Sequence, residues 1–195
     1  REYSLDPIHT LNLDYSLSYS YQPYEQYDTL QQDLQRISDH SLVHTISGGY
    51  SVLDNTTVNV SFPFRYEYKK MGTDDELDER DIGDISLGIS FQPFRSTPGD
   101  VRSTWNLSVS LPTGKSPYNI NSERELSTGD GIYSFSLSSN FSKQVDPVVV
   151  FWNVGYTYNM DPANVEWIIG EGNTIDKVKT GDSLRIGGGF AQALS

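Results

Sequence analysis

The 195-residue chain contains no cysteine, which excludes a disulfide framework, a thiolate zinc site and a thiol nucleophile. No long apolar run exists and mean hydropathy is −0.49, so no helix can span a membrane. Basic residues are scarce: 14 Lys and Arg stand against 26 Asp and Glu, a formal charge of −12. Nucleic acid is bound by basic faces and is therefore not an expected partner. There is no Pro-rich linker, no low-complexity tract, and no charged n-region ahead of an apolar stretch. With Arg1 in place of Met, the chain is expected to be processed or truncated, and residues 1–195 read as one domain.

What is present is aromatic and periodic. Thirteen Tyr, eight Phe and three Trp are far too many for a disordered acidic chain. Eight segments alternate with period two, the signature of strands with one apolar face. In the first, Leu11, Leu13, Tyr15, Leu17, Tyr19 and Tyr21 alternate with Asn12, Asp14, Ser16, Ser18, Ser20 and Gln22. In the cleanest, Val58, Val60, Phe62, Phe64, Tyr66 and Tyr68 oppose Asn59, Ser61, Arg65, Glu67 and Lys69. The others cover 42–52, 84–92, 105–111, 133–142, 150–159 and 184–194. The one helical expectation is a short turn around 30–37.

Connections alternate as well. Asp54-Asn55 and residues 144–147 are short and 94–103 is modest, while 23–41, 70–83, 112–131 and 159–182 read as long polar loops. Short turns at one end and long loops at the other belong to a transmembrane antiparallel up-and-down β-barrel of the outer membrane. A soluble sandwich has no reason to sort its loops this way. The polar row is small and neutral, mostly Ser, Asn, Thr and Gly, where a soluble surface favours Lys and Glu.

Aromatics gather at both strand ends. Tyr19, Tyr21, Tyr66, Tyr68, Tyr133, Tyr156 and Tyr158 lie by the long loops, and Trp105 and Trp152, with Tyr50, Phe91, Phe141 and Phe190, by the turns. Two such girdles anchor a barrel at its lipid interfaces. In that architecture the long loops are extracellular and the short turns periplasmic, which places the partners as outer-membrane lipid and lipopolysaccharide.

Three stretches carry a family resemblance: residues 83–88 (GDISLG), 111–118 (LPTGKSPY), and Asp146-Pro147-Val148-Val149-Val150 running into 153–158 (NVGYTY). They resemble the outer-membrane transporters of the MetA-pathway-of-phenol-degradation family and, beyond it, FapF-type channels that export functional-amyloid subunits. The resemblance runs from about the third strand onward and implies a channel of about twelve strands, trimeric in the FapF type. Its cargo is then a small hydrophobic solute or a secreted protein subunit. Eight strands are visible here, without the terminal aromatic usual in such barrels, so the expectation is a barrel truncated at the C-terminus.

Other motifs read blandly. Gly114-Lys115-Ser116 ends like a phosphate-binding loop, but Val109 stands where that loop needs its first Gly. The acidic run 74–81 fails as an EF-hand, since its sixth position is Glu79 and its twelfth Ile85; it reads as a solvated loop. His40 beside Ser41 lacks any nucleophile elbow, and His40 and His44 are too far apart along a strand for one metal. Asn55, Asn59, Asn106 and Asn140 open N-x-[ST] triplets that polar alternation generates by chance. No enzyme activity, cofactor or metal site is expected.

The function expected is an outer-membrane channel moving solute or secreted cargo through a polar lumen. A non-conducting barrel that anchors an envelope assembly is the alternative. By parity, Asp14, Arg65, Glu67, Lys69, Asp84 and Arg185 are the charges on the lumen face.

Overall fold

Residues that alternate every second position build strands, because successive Cβ atoms point to opposite sides. The computed structural model describes residues 5, 7–28, 33–71, 75–97, 99–121, 124–163, 165, 167–168, 174–175 and 177–192. In chain order the strands are β1 (Leu11–Asp28), β2 (Asp33–Leu53), β3 (Thr56–Met71), β4 (Asp75–Ile82), β5 (Ile85–Phe91) and β6 (Val101–Leu111). There follow β7 (Ser134–Val145), β8 (Val148–Asn159), two short strands β9 (Trp167–Ile168) and β10 (Thr174–Ile175) that pair with each other, and β11 (Ser183–Gln192). The main sheet is antiparallel, in the order β1-β2-β3-β5-β6-β7-β8-β11, with β4 on β3 beyond the end of β5. It is an up-and-down meander that forms a half-barrel.

The register stacks like with like. One line across the sheet runs Leu11, Tyr50, Val58, Ile89, Leu107, Leu137, Tyr156, Leu184. On the opposite face runs Asn12, Gly49, Asn59, Gly88, Ser108, Ser136, Thr157, Ser183. A second polar line runs Asp14, Ser47, Ser61, Ser86, Ser110, Ser134, Asn159. The apolar line begins at the first residue of β1, beside the short turns, and ends at the second residue of β11, at the far end of the sheet. That stagger is what tilted strands in a barrel wall require.

Burial is inverted relative to a soluble fold. Leu13 is 72% exposed, Leu107 54% and Ile186 75%, while the polar row between them is half-buried. The buried apolar residues among those described are Ile37, Ile120 and Ile132. A sandwich buries its apolar rows against a second sheet; this sheet turns them outward. The polar row lies on the concave side, where grooves of about 340 and 200 Å³ form between strands.

Two expected loops are mostly strand. Residues 23–28 and 33–41 continue the β1–β2 ladder, with Glu25 opposite Arg36. Residues 33–37 are therefore extended rather than helical; 29–32 lie outside the described residues. Likewise 75–82 is β4, paired with β3 from Phe64↔Ile82 to Met71↔Asp75. Alternation was broken there by charged side chains on both faces, and it was the backbone ladder that kept the strands going. The β4 pairing also splits the acidic run: Glu76, Asp78 and Arg80 fall on one face, Leu77, Glu79 and Asp81 on the other. The carboxylates of the run therefore do not all face one point, and Asp74 lies outside the described residues. Of the eighth predicted strand, Leu194 is likewise outside them.

Proline shapes the remaining irregularity. Pro63 sits within β3 and has no N–H to give its neighbour, so a bulge is its natural place. Between the pairs Ser61↔Ser86 and Phe64↔Ile82, two residues of β3 face three of the next strand. Gly83 N–H donates to Pro63 C=O at 2.8 Å, and the chain breaks there into β4 and β5.

Candidate functional site

The bulge at Gly83-Asp84 is where the polar face acquires structure beyond the sheet. The segment 112–131 is expected as an outward loop; its described residues, 112–121 and 124–131, fold back onto the concave face at this point. Thr113 Oγ1 donates to Gly83 C=O at 2.8 Å and accepts from Ile85 N–H at 2.9 Å. Asp84 accepts from Gly114 N–H at 3.0 Å and from Asp130 N–H at 2.6 Å, so one carboxylate ties the outgoing and returning backbones together. The returning Thr128 is fully buried, donates to Ile82 C=O at 3.1 Å and accepts from Lys115 N–H at 3.0 Å. A Cβ on Gly83 would lie 3.0 Å from Pro63 Cγ, 3.2 Å from Arg65 Nε and 3.2 Å from Thr128 O. The segment therefore rests directly on the lumen-parity residues of β3.

Lys115 supplies the charge in this junction. Its Nζ lies 2.6 Å from Glu79 Oε2 on β4 and 3.5 Å from Glu125 Oε1 within the segment. The hydrogen bond to Glu79 is the main reason its ammonium is held above the ordinary lysine value. A raised pKa means the stabilisation is complete below the unfolded value of about 10.4 and is lost as pH rises through the folded one. Tyr118, raised by burial and then by Asp130, contributes with the same sign. The expected outcome is a melting temperature flat from neutral pH to about pH 10 and falling beyond it. Lys115→Gln should flatten part of that fall; an unchanged alkaline profile would contradict the assignment.

The sequence-predicted charges separate into four situations. Arg65 and Glu67 come together, Nη1 to Oε1 3.9 Å apart, with Ser41 Oγ donating to Glu67 Oε1 at 2.7 Å. Lys69 lies opposite Asp39 in the register, its Nζ 5.9 Å from the Tyr24 ring centroid. Asp84 is a clamp for backbone N–H groups. Asp14 and Arg185 stand far from these, on the two outermost strands. Sequence reasoning missed Asp39, Glu79, Lys115, Glu125 and Thr128. The first two carry lumen parity once β2 and β4 are seen to continue; the last three had no periodic signal.

On the convex face the aromatic residues group as two bands. Phe141 stacks on Trp152 with ring centroids 5.3 Å apart and meets Trp105 edge-on at 6.4 Å, near the β7–β8 turn. Tyr133, Tyr156 and Tyr158 are exposed toward the other end, and Tyr156 donates to Asp182 Oδ2 at 2.5 Å. Trp152 and Tyr158 are six residues apart on β8, about 20 Å of strand. On β1–β3 the histidines join the second band. His40 Nδ1 is 2.8 Å from Tyr19 OH, its ring 4.8 Å from that of Tyr21 and 5.4 Å from that of Tyr68. His44 Nδ1 is 2.7 Å from Tyr15 OH. The Arg80 guanidinium covers the Tyr66 ring at 4.6 Å. His40 and Ser41 thus point to opposite faces of the sheet and do not form a nucleophile–base pair.

No protein-family model matches the chain. In fold it is similar to the crystal structure of an outer membrane channel from Pseudomonas putida F1, with TM-score 0.53 and 16% sequence identity. The similarity covers 84% of this chain, which spans 60% of the length of that one. The chain has the antiparallel barrel-wall fold of an outer membrane channel.

Proposed function

We propose that this chain forms the wall of an outer-membrane channel through which small solutes diffuse along the polar concave face. The observation that carries the reading is the inverted burial: continuous apolar lines on the convex side, continuous Ser, Asn, Thr and Gly lines on the concave side. Only a bilayer makes such a convex face favourable. A membrane-crossing strand needs about 9–11 residues, and β6, β7 and β8 have 11, 12 and 12. The similarity in fold to the Pseudomonas putida channel supports the same location.

In this reading the convex lines meet lipid and the two aromatic bands lie at its interfaces. The long β1–β2 and β3–β4 hairpins rise on the extracellular side, and the short turns face the periplasm. Among the described residues the outer edges of β1 and β11 have no strand partner. Open edges in hydrocarbon leave N–H and C=O groups unsatisfied, so further strands complete the barrel, toward the twelve that the motif resemblance implies. That resemblance, to phenol-degradation transporters, also favours a small aromatic or hydrophobic cargo.

Reconstitution of the full-length protein in planar bilayers tests the reading. Discrete single-channel conductance is expected, and Arg65→Gln with Lys69→Gln should shift the reversal potential toward cation preference at unchanged stability. An electrically silent protein would leave the scaffold reading in its place. A lowered melting temperature with an unmoved reversal potential would reassign the two cations to wall structure.

A further inference from the structure

Resting on that channel reading, we infer that the segment 112–131 is a fixed strap that sets the narrowest section of the lumen, with Lys115 the positioning residue that pins it. The first argument is reach. The segment leaves β6 and returns to β7, yet Leu126 and Ser127 line a cavity of about 180 Å³ together with Asp39 of β2 and Glu67 and Lys69 of β3. From β6 to β2 is three strand spacings, about 14 Å of wall. A barrel of eight strands has an interior just wide enough for side chains, so a backbone crossing three strands occupies a large share even of a moderately wider lumen.

The second argument is that the strap is built to stay. Its two backbones touch where Gly114 meets Gly129: a Cβ on Gly114 would lie 2.7 Å from both Gly129 N and Cα. Asp84 holds both sides of the crossing, Thr128 and Gly129 are buried, and Thr128 and Gly129 N–H donate to Lys115 C=O at 3.2 and 3.1 Å. The hydrogen bonds that seat the strap on the wall run to Ile82, Gly83, Asp84 and Ile85, beside the bulge at Pro63, and Lys115 adds the ion pairs. Lys115 joins the strap to β4 and to its own returning limb by ion pairs with Glu79 and Glu125. Its loss leaves Glu79 and Glu125 as facing carboxylates that repel, so the strap lifts.

The third argument is location. Strap and wall charges meet at one end of the polar face, so the steric minimum coincides with the place where Arg65, Glu67 and Lys69 gather. Solutes that pass are then limited by cross-section at the strap rather than by binding along the wall.

The experiment is polymer exclusion on the full-length protein in planar bilayers. Polyethylene glycols of graded size are added and the largest that still lowers conductance is recorded, for the wild type and for Lys115→Gln. The variant should admit larger polymers and conduct roughly twofold more, as a widened constriction does, with its strand signal intact. Because the chain has no cysteine, Ser127→Cys gives a second, milder probe. A bulky thiol-specific reagent at that position should cut conductance at least about twofold by filling the narrowest section. A wild type that conducts nothing overturns the channel reading itself. A conducting wild type whose polymer cut-off is unmoved by Lys115→Gln, or whose Ser127→Cys form is indifferent to labelling, overturns the strap.

Discussion

Leu107→Arg is expected to lower the unfolding free energy by about 2–4 kcal/mol, while Asn106→Arg, one residue away, costs a fraction of that. Leu107 sits mid-strand in β6, between Ile89 and Leu137 on the longest apolar line, and is 54% exposed on the convex side. On the channel reading an arginine there meets lipid, with no water to solvate it and no carboxylate within the line to pair with. Asn106 lies on the concave line between Ser90 and Ser138, where Ser90 Oγ donates to its Oδ1 at 2.8 Å. Its loss removes a hydrogen bond worth about 1 kcal/mol, and the new guanidinium reaches water. Denaturant unfolding from lipid vesicles measures both. Equal penalties would remove the basis for assigning the two faces.

Gly129→Ala is expected to cost about 1–3 kcal/mol and to open the 112–131 segment to protease. A methyl group at this position collides with the Asp84 carboxylate and comes within 2.9 Å of Gly114 Cα. Neither neighbour can yield: Gly114 is backbone, and Asp84 is held by two N–H donors. Gly181→Ala provides the control, since a Cβ there meets nothing within 4 Å and surface changes of this kind stay within about 0.5 kcal/mol. The two variants should separate clearly in melting temperature. If they coincide, the crossing of the two backbones is looser than its geometry implies.

The period-two alternation made most of the wall legible, because a strand with one apolar face writes its sidedness directly into every second residue. That is why β3, β5 and β6–β8 were readable from residue types alone, down to which of Leu107 and Asn106 shares a face with Ser90. Extension of β1, β2 and β3 past the aromatic band was not readable. Beyond that band both faces are polar, as at Glu25, Arg36, Lys70 and Glu76, so periodicity vanishes while the hydrogen-bonded ladder continues. The strap was hidden for a different reason. Gly114, Gly129 and Asp84 act through backbone proximity, which depends on a bulge at Pro63 some 20 to 65 residues away in sequence. Gly83-Asp84 and the TGK stretch are legible as motifs, but no spacing rule says that they touch.

The meander order of the sheet bears on how the protein assembles. Each neighbouring pair in the wall joins consecutive stretches of chain, so its closure costs only the entropy of one hairpin loop, which grows slowly with length. Even the Asp84–Asp130 tie closes 46 residues. Joining the first and last edges of the barrel is the one step that waits for every other, and it sets the contact order of the whole. Among the described residues the 18-residue β1 has one edge without a strand partner. An edge of that kind, left open during assembly, is where a stray strand can pair first, so the hazard lies at such edges rather than in the apolar convex face.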